Sequence, residues 1–181
     1  MNENILNEVF SVYEILKDSM KITRRSIAQD LFKLHGSTVF FSEQKDKMLK
    51  KMSDSEKELE NLMILSLFAS FERELRVSIQ NIIDFNVNKT NSTVNKLTSL
   101  AKSSIERWTV PDMVDAFSEV VDEPLRSRVK EIYAYRNWIA HGKNQNKQPS
   151  FKTDPKTVQK NLVDFISQAN QALQDSQNPN L

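Results

Sequence analysis

A chain of 181 residues with only two glycines, Gly36 and Gly142, has few ways to turn sharply. Sheet-rich folds need many tight turns, and most of these use glycine for backbone angles that other residues resist. Five prolines do not make up the shortfall. The chain is therefore expected to be all-α, with apolar residues recurring every three or four positions. Its length suits one domain that buries a real core.

Ile5, Val9, Val12, Leu16, Met20, Ile27 and Leu31 follow helical spacing over residues 2–34. His35-Gly36-Ser37 predicts a stop, with Gly36 just past the last turn. QKDKMLKKM (44–52) reads as a short polar helix. Ser53 with Glu56, or Ser55 with Glu58, would form a capping box that starts a long helix to about Phe85. Its centre, LMILSLFASF (62–71), is apolar nearly all round, as in a helix central to a bundle or shared with a second subunit. A polar break follows at 86–95, then two shorter helices within 96–121, the second beginning at Pro111. Another helix runs from Pro124 to Gly142. A last one has Asp154 as its cap, Pro155 as its first residue and an end near Leu173, before a polar tail expected to fray. The predicted architecture is an antiparallel bundle with additional short helices. It forms one domain over 1–181, with a core at about 55–173 and a helical extension over 1–54.

Composition removes many chemistries. The formal net charge of +1 excludes a globally basic nucleic-acid binder, so any RNA contact must be local. The absence of cysteine excludes disulfides, thiolate catalysis and zinc–thiolate sites. With His35 and His141 the only histidines, a multi-histidine metal centre within one chain is not expected, and no cofactor is implied. No apolar run reaches the roughly 18–20 residues that span a bilayer. The opening MNENILNEVF lacks the layout of a signal peptide, so a cytoplasmic protein is expected.

Two charges sit where the periodicity calls for apolar residues. On the helix after Pro124 the stripe runs Leu125, Val129, Ile132, Ile139, and its missing member is Arg136. On the long helix it runs Leu65, Phe68, Leu75, Ile79, and its missing member is Glu72. An unpaired charge facing a core costs several kcal/mol, so each needs a partner or a cleft. Either the two form a buried structural pair, or both face a polar cleft where Glu72 orients Arg136 toward an anion. Asn137 and His141, four residues apart, share one face near the helix end. Arg136 lies about 140° from His141 in an ideal helix, so only its long side chain or local unwinding would bring the two together. A histidine at a helix C-terminus also has a plain reading, as a cation complementing the helix dipole.

The stretch Arg136-Asn137-Trp138-Ile139-Ala140-His141 resembles the Arg-x(4–6)-His motif of HEPN domains (higher eukaryotes and prokaryotes nucleotide-binding). Its context is similar too: a helix end, Gly142, a polar loop, and a final helix at Asp154-Pro155. LFASFERELR (67–76) resembles the glutamate-bearing second helix of a branch grouped with prokaryotic RNA-targeting effectors. The resemblance spans about 55–173.

It implies a helical bundle that dimerises so that two Arg–His motifs face one cleft. It also implies a metal-independent endoribonuclease of a toxin–antitoxin or anti-phage system, with an antitoxin or regulatory protein as a further partner. In that reading His141 transfers protons, Arg136 holds the phosphate, Asn137 bonds His141 or substrate, and Glu72 orients Arg136. The products would be a 2′,3′-cyclic phosphate and a 5′-hydroxyl. A catalytically silent RNA-binding or assembly module is the rival, and a plain helical interaction protein the third reading. Some family members carry a modifiable tyrosine just after the histidine; here Gly142-Lys143-Asn144-Gln145 follow.

Lys143, Lys147 and Lys152 border the motif and would track RNA phosphates, or form a solvated face. Trp138 and Trp108 would stack on bases, or pack. The basic run at 45–51 reads as a solvated face, and His35 as a helix-end residue without chemistry.

Overall fold

Apolar spacing of three and four becomes six α-helices among the described residues, which are 1–85 and 92–177 of a computed structural model. They are α1 (Asn4–Ala28), α2 (Lys45–Phe85), α3 (Ser92–Ile105), α4 (Val110–Asp115), α5 (Glu123–Ala140) and α6 (Pro155–Gln177). Short 3₁₀ turns at Phe32–His35 and Gln145–Lys147 complete the set, and no strand forms among these residues. The expected break at 86–95 falls mostly outside the described residues, as do the last four residues of the tail.

α2 packs on α1, α5 and α6, and α6 also packs on α1 and α5. The pair α2–α6 therefore lies between α1 and α5. Along this seam Leu67, Phe68, Phe71 and Leu75 of α2 are fully buried, as are Leu162, Phe165 and Ile166 of α6. Leu6 and Tyr13 of α1 belong to the same cluster, so the N-terminal helix is built into the core rather than appended to it. Ile27, Met48 and Met52 form a second, smaller cluster where α1 meets the first turns of α2. LMILSLFASF presents a buried and an exposed face. Met63, Ile64, Leu67, Phe68 and Phe71 are core, whereas Leu62 is 56 % exposed.

Four boundaries differ from expectation: α3 begins at Ser92, inside the expected break at 86–95, and α6 runs to Gln177, past the expected end near Leu173. No capping box interrupts the chain at Ser53 or Ser55, and α2 runs unbroken for 41 residues. The segment 44–60 contains no glycine or proline, and Met48 and Met52 bury on α1, so packing carries the helix through the serines. α1 ends at Ala28, before Leu31, and Gly36 keeps an ordinary φ of −62°. Asp30, at φ 55°, takes the left-handed position instead. The Leu31 amide then reaches the Ser26 carbonyl at 3.0 Å and the Asp30 amide the Ile27 carbonyl at 3.1 Å. This is the Schellman pattern with an aspartate in place of glycine. His35 is 5 % exposed in the segment that follows, a packed residue rather than a frayed one.

The start signals of the later helices are realised. Thr109 caps α4 in a reciprocal box with Asp112, an arrangement worth about 1 kcal/mol. Asp154 accepts from the amides of Lys156 and Thr157 at the start of α6. Asp122, ahead of α5, spends its side chain on Gln168 of α6 at 2.8 Å and thereby fixes that end of α5. Arg128 lies over the Phe151 ring at 4.8 Å and pins the α5–α6 connection against α5.

Candidate active site

The motif occupies the last turns of α5. Val129, Ile132 and Ile139 are buried, and Arg136 falls on the same face, half-buried. The arginine thus occupies a core-facing position, as the periodicity predicts.

Its partner is not Glu72. Glu72 pairs with Arg76 at 2.9 Å, one turn along its own helix, and Arg76 also donates to the carbonyls of Ile105 and Trp108. The reason is axial height. Phe68 meets Tyr133 at 5.8 Å, and Glu58 reaches Lys143, so α2 and α5 run antiparallel with Glu72 level with Val129. That leaves it about two turns, roughly 10 Å, from Arg136 along the helix axes. Neither the buried Glu72–Arg136 pair nor the orienting role given to Glu72 is formed.

Arg136 instead donates through Nη1 to Oδ1 of Asn137 at 2.9 Å. Its Nε is buried without a hydrogen-bond partner, and no carboxylate among the described residues pairs with it. A buried donor left unmade costs about 1–3 kcal/mol, so this guanidinium retains unspent capacity for an anion.

Asn137 connects the arginine to a cavity of about 260 Å³ lined by Ala134, Asn137, Trp138, His141, Asn144 and Lys147. The first four stand at i, i+3, i+4 and i+7 on one face of α5, and Asn144 and Lys147 come from the following loop. His141 is exposed at the C-cap of α5, its amide closing the last turn on the Asn137 carbonyl at 2.9 Å. Arg136 does not line the cavity and reaches its wall only through Asn137.

The loop is held in place by backbone chemistry. Gly142, at φ 82°, and Lys143, at φ 57°, are both left-handed. The Lys143 amide returns to the Trp138 carbonyl at 2.9 Å and the Gly142 amide to Ile139 at 3.2 Å. This Schellman turn swings the chain back over α5, where Trp138 Nε1 donates to the Asn144 carbonyl at 2.8 Å. The Trp138 ring also packs on Tyr135 with centroids 5.5 Å apart. Trp138 thus forms one wall of the cavity, fixed by its ring contact and its bond to the loop. Nothing lies within 4 Å of a Cβ added at Gly142, so Gly142→Ala is strained only through its backbone angle. It is expected to cost about 1 kcal/mol, read as a shift in the urea midpoint.

Lys143 is drawn away from the cavity into an ion pair with Glu58 of α2. The Lys143 ammonium holds the Glu58 carboxyl below the usual carboxylate range. The pair therefore persists above that range and is lost as pH falls through the lowered value. Lys147 lines the cavity, whereas Lys143 serves as a tie between helices. Burial pushes the Tyr135 phenol above its usual range, which keeps it protonated and unsuited to act as a base at neutral pH. Ala134 and Asn144 lack a chemical signature in the sequence. Ala134 could be read from helical spacing with His141, and Asn144 only from the turn geometry.

No helix among the described residues is long and apolar enough to cross a membrane. Compared with family models, curated proteins and solved structures, the chain finds no match, so its own geometry is what speaks to function.

Proposed function

We propose that the chain is a metal-independent endoribonuclease of the HEPN type, acting as a homodimer in which two copies of the α5 end face one RNA strand. The observation that carries this reading is the half-buried Arg136, without a carboxylate partner among the described residues and bonded to the Asn137 that lines the His141 cavity. A structural arginine would be expected to have its charge answered within the fold.

In the reaction an imidazole takes the proton of a ribose 2′-OH, and the 2′-oxygen attacks the adjacent phosphorus. The new 2′-O–P bond forms as the 5′-O–P bond breaks, and an imidazolium protonates the departing 5′-oxygen. Balance requires one basic and one acidic imidazole, which two His141 side chains from two protomers supply. Arg136 meets charge developing on the phosphate oxygens, and Asn137 holds its guanidinium in line with the cavity. Lys147 adds a contact to a flanking phosphate. Glu72 and Lys143 take no part, because their charges are committed to Arg76 and Glu58.

The test is cleavage of a mixed-sequence RNA in EDTA by wild-type protein, with products carrying cyclic phosphate and 5′-hydroxyl ends. RNA that stays intact yet binds, with binding lost in Arg136→Ala, would instead favour a silent RNA-binding module.

A further inference from the structure

Two side-chain amides stand in the wall of the His141 cavity, and the fold orients both of them the same way. Asn137 Oδ1 accepts from Arg136 Nη1 at 2.9 Å, and Asn144 Oδ1 accepts from the Asn146 amide at 3.0 Å. A guanidinium and a backbone N–H can only donate, so in each asparagine the oxygen must be the atom that meets them. The two NH2 groups are left over, and neither has an acceptor among the described residues. The Asn144 carbonyl is occupied as well, by Trp138 Nε1 and the Lys147 amide. Among the described residues no carboxylate lines the cavity. Apart from the imidazole, the free polar groups of the lining side chains are therefore donors.

We propose that this cavity receives a nucleobase bordering the cleaved phosphate and selects the keto bases, uracil and guanine, through Nδ2 of Asn137 and Nδ2 of Asn144. The inference rests on the RNA reading above and deepens it. At about 260 Å³ the cavity lies below the roughly 300–1,000 Å³ of drug-sized sites and suits one ring system. Phosphate charge is answered by Arg136 and Lys147. The rest of the wall is the Ala134 methyl, the Trp138 ring and two neutral amides. Such a lining matches a flat heterocycle, as splayed RNA bases are held by an aromatic ring and by bonds to their edges. Uracil offers two carbonyl oxygens, and guanine offers O6 beside N7, so each can answer two donors. Cytosine and adenine carry an amino group where a carbonyl would stand, which sets donor against donor.

Uracil and cytosine oligomers of equal length isolate this effect, because their phosphates are identical and only the ring edge differs. Methylation of every 2′-oxygen keeps both from being cut. By fluorescence anisotropy at one salt concentration, wild type is expected to bind the uracil oligomer about tenfold or more tightly than the cytosine one. Asn144→Asp keeps an oxygen for the Asn146 amide and exchanges the NH2 for an acceptor, so the turn is retained. Its added charge weakens both oligomers alike, and the uracil preference should fall by about tenfold or more. Equal affinities in wild type, no binding of either oligomer, or a preference that Asn144→Asp leaves unchanged overturns the proposal. Uracil preference in a protein that leaves mixed RNA intact in EDTA upholds it and ends the ribonuclease reading, whereas cleavage with equal affinities does the reverse.

Discussion

His141→Ala and Arg136→Ala are each expected to cleave RNA in EDTA at least about a hundredfold more slowly than wild type. General acid–base transfer contributes about 10²–10⁴ in rate, and one donor aimed at developing charge about 10²–10³. Because both groups act in one step, the double variant should lose little more than the worse single one. Stability separates this outcome from a structural one. His141 is exposed, so its loss should leave unfolding within about 0.5 kcal/mol of wild type. Arg136→Ala removes a buried donor that nothing satisfies and should shift stability by no more than about 1 kcal/mol. Had Arg136 been half of a buried ion pair, its removal would cost about 3–5 kcal/mol. Cleavage unchanged in both variants, with wild type active, would sink the assignment of catalysis to this helix end.

The largest effect on folding is expected at Phe165. Its ring meets Phe71 of α2 edge-on at 5.4 Å and Phe117, in the turn after α4, at 5.7 Å. It is fully buried, and it joins three parts of the chain that are far apart in sequence. Phe165→Ala removes the transfer energy of the ring, leaves a cavity and ends two aromatic contacts, for about 3–5 kcal/mol in all. Domains of this size have about 5–15 kcal/mol to lose, so the variant should unfold at a much lower urea concentration. A loss under about 1 kcal/mol would mean that the neighbouring helices close the gap.

How far the sequence could be read follows from what periodicity measures. It reports the angle of a side chain around a helix axis, and it put Arg136 on the buried face of α5, where the structure has it. It does not report height along the axis. Glu72 was at a suitable angle on α2 but about two turns away from Arg136, because height is decided by how core layers such as Phe68 and Tyr133 mesh. Helix ends show the same division. Gly142 announced its left-handed turn, whereas Asp30 adopted one without the residue that usually signals it. Polar serines at 53 and 55 resembled a start, yet a helix continues unless something breaks it, and tertiary burial of Met48 and Met52 favoured continuation.

The uninterrupted α2 behaves as a rigid lever about 60 Å long. Its fulcrum is the large core around Leu67 and Phe71, and its free arm ends in the small cluster of Ile27, Met48 and Met52. With no hinge to absorb motion, a tilt of one degree about that fulcrum displaces the end of the free arm, roughly 35 Å away, by about 0.6 Å. Glu58 lies on that arm and pairs with Lys143 beside the His141 turn, so one surface ion pair ties the arm to the loop that borders the cavity.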